Sequence, residues 1–232
     1  LLRRWVEKLL NGKGNLRMRK NDNLQEKIDK MREKYRLERE KRLRSDGSDQ
    51  FVQVKGEFSY FSEDPYSNDV LEREPREEIT DIVIVGGGFG GLLAAARLSA
   101  IGYSDITVVE EGADFGGTWY WNRYPGARFD SESWTYGYSF SKELMEEWDW
   151  QEHFSSQPEN ERYLNFVADK FNLREDIQFN AKVISAHYME KDRYWSLTLE
   201  DGECYTSRFL ITAIGILSAP TMPTIKGIDT FK

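Results

Sequence analysis

The feature that most limits what this chain can fold into is Gly86-Gly87-Gly88-Phe89-Gly90-Gly91. This G-x-G-x-x-G run lies between a strand-like apolar segment, Asp81–Val85, and a helix-like one, Phe89–Ala100, closed by Gly102. A second apolar run, Ile106–Glu110, follows. Strand, glycine turn, helix and strand in that order make a βαβ unit, which requires a parallel pair joined by a right-handed crossover. The glycines then do different things. Gly86 allows the tight turn, Gly88 lets the backbone approach a pyrophosphate, and Gly91 lets the helix sit close on the strand. The helix N-terminus near Phe89 offers free N–H groups and the positive end of its dipole to the same anion. Glu110 ends the second strand 24 positions after Gly86, where an acid accepts hydrogen bonds from an adenosine ribose, and its charge argues against a 2′-phosphate there. These mechanics leave NAD and FAD both open.

Around that unit the chain reads as an α/β protein: a Rossmann-like domain with a parallel sheet and a β-meander, preceded by a helical extension. Pro158 opens a helix running to about Phe171. The segments Ile177–Phe179, Ala181–Tyr188, Tyr194–Glu200 and Cys204–Ala213 read as strands, with Asp201-Gly202 as a hairpin turn. Ile184, Ala186 and Tyr188 share one face of their strand, and Trp195, Leu197 and Leu199 alternate along theirs. The stretch from Gly112 to about Trp150 reads as long, irregular and aromatic.

Texture changes near Glu74-Pro75, which places a boundary near Glu78: residues 1–78 form a helical and extended arm, and 79–232 the main domain. In the arm, Asn23 and Glu26 have the form of a capping box, and Leu24, Ile28, Met31 and Tyr35 recur at helical spacing up to about Ser45-Asp46-Gly47. That stripe predicts a helix packed on its own protein, with a partner-binding or oligomerisation arm as the alternative. Phe51 to Phe61 is expected to be extended, with Asp64-Pro65 as a turn.

Charge excludes one class of partner. Residues 1–80 hold 19 Lys/Arg against 17 Asp/Glu, whereas 81–232 hold 13 against 23, so the main domain is acidic and unsuited to nucleic acid. The apolar run Ile82–Ile101 carries five glycines and an arginine and begins as a strand, which makes it core and not a membrane span. The first ten residues lack the pattern of a signal peptide. The single cysteine, Cys204, has no partner for an internal disulfide, which fits a reducing, cytoplasmic setting.

The run after Glu110 decides between the dinucleotides. Gly116-Gly117-Thr118-Trp119-Tyr120-Trp121-Asn122-Arg123-Tyr124-Pro125-Gly126-Ala127-Arg128-Phe129-Asp130 pairs glycines, which permit close backbone approach, with flat aromatic side chains suited to a flat ring system. It resembles the signature of the flavin-dependent Baeyer–Villiger monooxygenases, enzymes that use FAD, NADPH and O₂ to insert oxygen beside a ketone carbonyl. The resemblance runs from about Lys27 to Lys232, and the arm is similar to that of a subgroup with an N-terminal extension.

By that resemblance Gly86, Gly88, Phe89, Gly90 and Gly91 hold the FAD pyrophosphate and Glu110 its ribose. Gly117, Thr118, Trp119, Tyr120 and Trp121 line the flavin, and Tyr136 reaches it. Val183 contacts the adenine end through its backbone. Arg128, Phe129 and Asp130 touch NADPH, with Asp130 as the acid beside flavin and nicotinamide; from its residues alone Asp130 reads as an Asx turn. Phe129 stands where the family usually has Cys. Ala213-Ile214-Gly215 replaces the usual A-T-G, and Phe231-Lys232 matches the start of the family's F-x-G-x-x-x-H-x-x-x-W fingerprint. The resemblance therefore implies the N-terminal, FAD-binding part of such an enzyme, cut before its NADPH domain and inactive alone. The alternatives are a related flavin monooxygenase oxidising nitrogen or sulfur, or a non-catalytic flavin-binding module.

Overall fold

The computed structural model describes residues 23–54, 56, 59, 63–67, 74–75, 77–228 and 230. The expectations for the first ten residues, for most of Phe51 to Phe61 and for Phe231-Lys232 lie outside them. The chain divides into two compact units, one holding the described residues up to Val52 and those from Met222, the other Gln53–Thr221. The texture break near Glu78 falls inside the second unit.

In the first unit, helix α1 covers residues 23–40. Asn23 is itself helical and not a flanking cap, and Glu26 pairs with Lys30 at 2.6 Å instead of closing a capping box. Further pairs join Arg36 to Glu33 and Glu40. Such i,i+3 and i,i+4 pairs support an exposed helix by only about 0.2–0.5 kcal/mol each. The apolar stripe is not packed away as its spacing predicts: Leu24, Met31 and Tyr35 are all more than half exposed. A 3₁₀ turn, Gly47–Gln50, leads into strand β1, Phe51–Gln53.

The second unit is built on a six-stranded sheet. Its elements in chain order are β2 (Glu77–Val85), α2 (Phe89–Ala100), β3 (Ile106–Val109), α3 (Thr118–Trp121), α4 (Ser133–Tyr136), α5 (Lys142–Glu147), α6 (Gln157–Lys170), a 3₁₀ turn (Leu173–Asp176), β4 (Ile177–Gln178), β5 (Val183–Met189), β6 (Tyr194–Leu199) and β7 (Cys204–Thr212). The sheet order is β4-β3-β2-β7-β6-β5. β2 runs parallel to both β3 and β7, and β3 parallel to β4, while β5, β6 and β7 form an antiparallel meander. β8, Thr221–Pro223, pairs with β1 in a separate two-stranded sheet that the sequence did not announce. The stretch between Gly112 and Trp150 is irregular as expected, apart from three short helices.

β2 is buried on both sides, the condition of a central parallel strand and the reason its core reads as an unbroken apolar run. Ile82 and Ile84 face a cluster with Leu92, Ala95 and Ala96 of α2 and Leu164, Val167 and Ala168 of α6. Val83 faces the other, with Val109, Leu197, Leu199 and Tyr205. α6 carries its Pro in the first turn, where a missing N–H does no harm, and Lys170 in its last turn, bonded to Glu147 at 2.7 Å. At the sheet edge, Ile184, Ala186 and Tyr188 do share a face, but that face is exposed.

Leu164 is fully buried beneath the sheet and Leu24 is exposed on α1. Leu164→Ala is therefore expected to lower the unfolding free energy by about 3 kcal/mol, and Leu24→Ala to change it by no more than about 0.5 kcal/mol, as read by urea denaturation.

Candidate functional site

The site begins where β2 ends. Gly86 turns the chain at φ 110°, and its N–H donates to the Val109 carbonyl at 2.8 Å, tying the turn to the neighbouring strand. A Cβ on Gly86 would lie 2.6 Å from the Ala213 carbonyl oxygen, and one on Gly91 would lie 1.7 Å from the Gly86 carbonyl oxygen. No side chain fits at either place, so helix α2 starts directly against the strand end. Its first backbone bond runs from Leu92 N–H to Gly88 O at 3.0 Å. The N–H groups of Phe89, Gly90 and Gly91 consequently find no acceptor among the described residues, and they are the groups an anion at this terminus would take.

Glu110 directly follows β3 and is only 5% exposed. One carboxylate oxygen accepts from Gly87 N–H at 2.5 Å and the other from Gly112 N–H at 2.7 Å. Burial pushes its carboxyl above the usual carboxylate range, and the two N–H groups offset part of that rise. Each oxygen still has a second lone-pair direction for a ribose hydroxyl. The segment beyond β4 wraps this acid, since Glu110 N–H donates to Gln178 O at 2.9 Å and Ala181 N–H to Glu110 O at 2.8 Å. Val183 lies two residues further on, half-buried against the cluster that contains Val83 and Val109.

The aromatic loop closes over the glycine turn through backbone. Gly116 N–H donates to Gly87 O at 3.2 Å, and a Cβ on Gly117, at φ 51°, would lie 2.9 Å from Gly88 Cα. α3 then separates the four aromatic-run positions assigned to a flavin. Thr118 is exposed and Trp121 half-buried, whereas Trp119 and Tyr120 are buried. Trp119 donates its indole N–H to Tyr136 Oη at 3.1 Å and packs edge-on to Phe129. Phe129 stacks on Tyr136 with ring centroids 4.2 Å apart, so the residue that stands in place of Cys extends a continuous aromatic wall to Phe89, which meets Tyr136 at 4.8 Å.

Arg128 is drawn away from that wall, bonded to Glu152 at 2.8 Å and to the Phe154 carbonyl at 3.1 Å. Asp130 is exposed and makes no hydrogen bond or ion pair among the described residues, so the Asx turn that its local sequence allows does not form. The structure thus brings together Gly86, Gly88, Phe89, Gly90, Gly91, Glu110 and Gly117 at one end of the sheet. It brings Trp119, Phe129 and Tyr136 together beside them.

Sequence reading missed several residues that shape the loop. Gln157 donates its side-chain amide to Trp119 O at 2.5 Å and to Glu161 at 2.8 Å. Buried Glu159 accepts from Ser155 Oγ at 2.5 Å and from Gln151 N–H at 2.8 Å. Asp64 accepts the Tyr120 hydroxyl at 2.5 Å. Only the Asp64-Pro65 turn carried a local signal, and nothing in it pointed to Tyr120. Among the described residues no group of three or more His, Cys, Asp or Glu is placed to hold a metal ion, and no helix is long and apolar enough to cross a membrane.

A glycine-turn βαβ unit with a buried acid at the end of its second strand defines a dinucleotide-binding α/β protein. Residues 83–232 match the pyridine nucleotide-disulphide oxidoreductase family, and the chain belongs to that family. It is 49% identical over 162 residues to a 2-oxo-Delta(3)-4,5,5-trimethylcyclopentenylacetyl-CoA monooxygenase of Pseudomonas putida, a match covering 70% of this chain and 30% of the relative. A Baeyer–Villiger monooxygenase of Streptomyces coelicolor is 38% identical over 204 residues, covering 87% of this chain and 33% of the relative. The crystal structure of OTEMO in complex with FAD and NADP superposes with a TM-score of 0.61 at 48% identity, over 68% of this chain and 29% of that one. These matches bear out the resemblance read from the aromatic run, and the chain spans about a third or less of the relatives' length.

The raised carboxyl of Glu110 has a pH signature. Its folded pKa lies above the unfolded value of about 4.3, so its contribution to stability is fully present below that pH and is lost as pH rises through the folded value. The stability difference between wild type and Glu110→Gln should therefore shift against wild type as pH rises from the unfolded value through the raised folded one. Paired urea titrations check this, and a pH-independent difference would contradict it.

Proposed function

We propose that this chain supplies the FAD-binding part of a Baeyer–Villiger monooxygenase, which converts a ketone, O₂, NADPH and a proton into an ester or lactone, water and NADP⁺. Residues 1–78 are then an appended arm and 79–232 the cofactor domain, in a cytoplasmic protein whose small-molecule partners are the ketone and O₂. The observation that carries the reading is the trio of unpartnered N–H groups on Phe89, Gly90 and Gly91 beside buried Glu110, a cradle for a pyrophosphate with an acceptor for its ribose.

The residues present fit the cofactor. Gly86 and Gly91 leave no room for a Cβ, and Gly88 faces the backbone of Gly116 and Gly117, so the pyrophosphate can approach main chain directly. FAD, when bound, supplies the redox centre at which electrons from NADPH meet O₂. Of the four positions 118–121, Thr118 and Trp121 are the accessible ones, with Trp119 and Tyr120 buried behind them as support and Tyr136 and Phe129 extending the wall. Val183 is the candidate adenine contact. Asp130, unpaired and exposed, is free to meet the nicotinamide side, and Arg128 is close enough in sequence to join it there once released from Glu152. The aromatic wall also keeps water from one side of the site.

Titrating the chain with FAD and following flavin fluorescence tests this. Wild type should take up FAD, Glu110→Ala should weaken binding at least about tenfold through loss of charge-assisted ribose bonds, and the chain alone should show no ketone-dependent NADPH consumption. No uptake of FAD by wild type would overturn the reading. Amine- but not ketone-dependent NADPH consumption by the whole parent protein would favour the nitrogen-oxidising class.

A further inference from the structure

The turn at residues 63–67 precedes the cofactor domain, yet it grips the flavin loop. Asp64 Oδ1 accepts from Tyr66 N–H at 2.9 Å, which fixes the turn, and Oδ2 accepts the Tyr120 hydroxyl at 2.5 Å. That hydroxyl also accepts from Ala113 N–H at 3.2 Å. The Tyr120 ring fills the space over Gly112, where a Cβ would come within 2.9 Å of the ring, and the Tyr120 main chain and Cβ lie over Gly116, where an added Cβ would come within 2.8 Å of them. Gly112 N–H in turn donates to Glu110 Oε1 at 2.7 Å, and Gly116 N–H to Gly87 O at 3.2 Å. A continuous run of contacts therefore links Asp64 to the acid and to the glycine turn.

A second grip lies beside the first. The Arg123 guanidinium sits 4.1 Å from the Tyr66 ring centroid and 4.8 Å from that of Tyr120, and it bonds the Tyr120 carbonyl at 2.9 Å and Glu161 at 2.7 Å. Tyr66 Oη donates to Trp121 O at 3.3 Å. Tyr120, Trp121 and Arg123 all belong to the aromatic run that carries the flavin assignment, so the turn grips that run directly.

We propose that Asp64 is a positioning residue for the dinucleotide site: it holds Tyr120, and Tyr120 holds the 112–116 backbone so that Glu110 and the glycine turn keep the geometry that receives the cofactor. The proposal rests on the FAD reading above. Asp64 makes its hydrogen bonds to Tyr66 N–H and the Tyr120 hydroxyl, and it acts on the site through that hydroxyl. An amide in its place would present either one acceptor shared by Tyr66 N–H and Tyr120 Oη or an N–H₂ group to a hydroxyl already accepting from Ala113.

The test is a double-mutant cycle in the full chain, with FAD affinity measured for wild type, Asp64→Asn, Tyr120→Phe and the double variant, alongside apo unfolding midpoints and the visible circular dichroism of bound flavin. Asp64→Asn and Tyr120→Phe should each weaken FAD about tenfold and alter the flavin dichroism alike, and the double variant should lose no more than either single one. Wild-type affinity in Asp64→Asn, or losses that multiply in the double variant, would overturn the proposal while leaving the FAD reading intact. If Asp64→Asn does not fold, Tyr120→Phe decides alone, because it keeps the ring and removes the hydroxyl that joins Asp64 to the loop. Failure of wild type to bind FAD would be failure of the FAD reading, and the proposal would fall with it.

Discussion

The larger unit depends on how closely helix α2 seats against the end of strand β2. With hydrogen in place of a side chain at Gly91, the helix axis comes near enough for Leu92, Ala95 and Ala96 to bury themselves against Ile82 and Ile84. The same seating points the first turn of α2, with its unpaired N–H groups, out past the end of the sheet. Core packing and the presentation of these N–H groups are thus two results of one steric fact. α6 completes the layer with Tyr163, Leu164, Val167 and Ala168. The Tyr163 hydroxyl, its pKa pushed up to about 12 by burial, stays protonated and accepts Tyr138 N–H at 2.7 Å.

Glu110 is the second constraint. A carboxylate this buried is costly unless its oxygens are satisfied, and here backbone N–H groups from both the glycine turn and the following loop do so. The acid therefore organises the loop that follows it. From it the network passes to Tyr120 and outward to Asp64, which lies ahead of strand β2 in the chain.

Much of this was legible in the chain. Glycine spacing, the apolar runs on either side and Glu110 specified the βαβ unit, and the alternation of Leu197 and Leu199 specified a meander strand whose inner face is buried. The arrangement of the aromatic run was not legible. Helices of four residues, Thr118–Trp121 and Ser133–Tyr136, are too short to carry a 3.6-residue period, so they read as loop. Aromatic composition likewise does not tell which ring faces a cofactor and which faces the core; burial of Trp119 and Tyr120 behind Thr118 and Trp121 is set by tertiary packing. The stripes on α1 and β5 show the reverse, regular apolar spacing on faces that stay exposed. Asp64 was out of reach because its partner lies 56 positions away.

The most direct test of the central claim is an ¹⁵N–¹H amide titration of the chain with FAD. Binding at the α2 terminus predicts the largest shifts at Gly88, Phe89, Gly90 and Gly91, with a second group at Gly87 and Gly112 as Glu110 takes up the ribose. Shifts confined to other segments, with these amides unmoved at saturating FAD, would contradict the assignment of the glycine turn and Glu110 as the cofactor cradle.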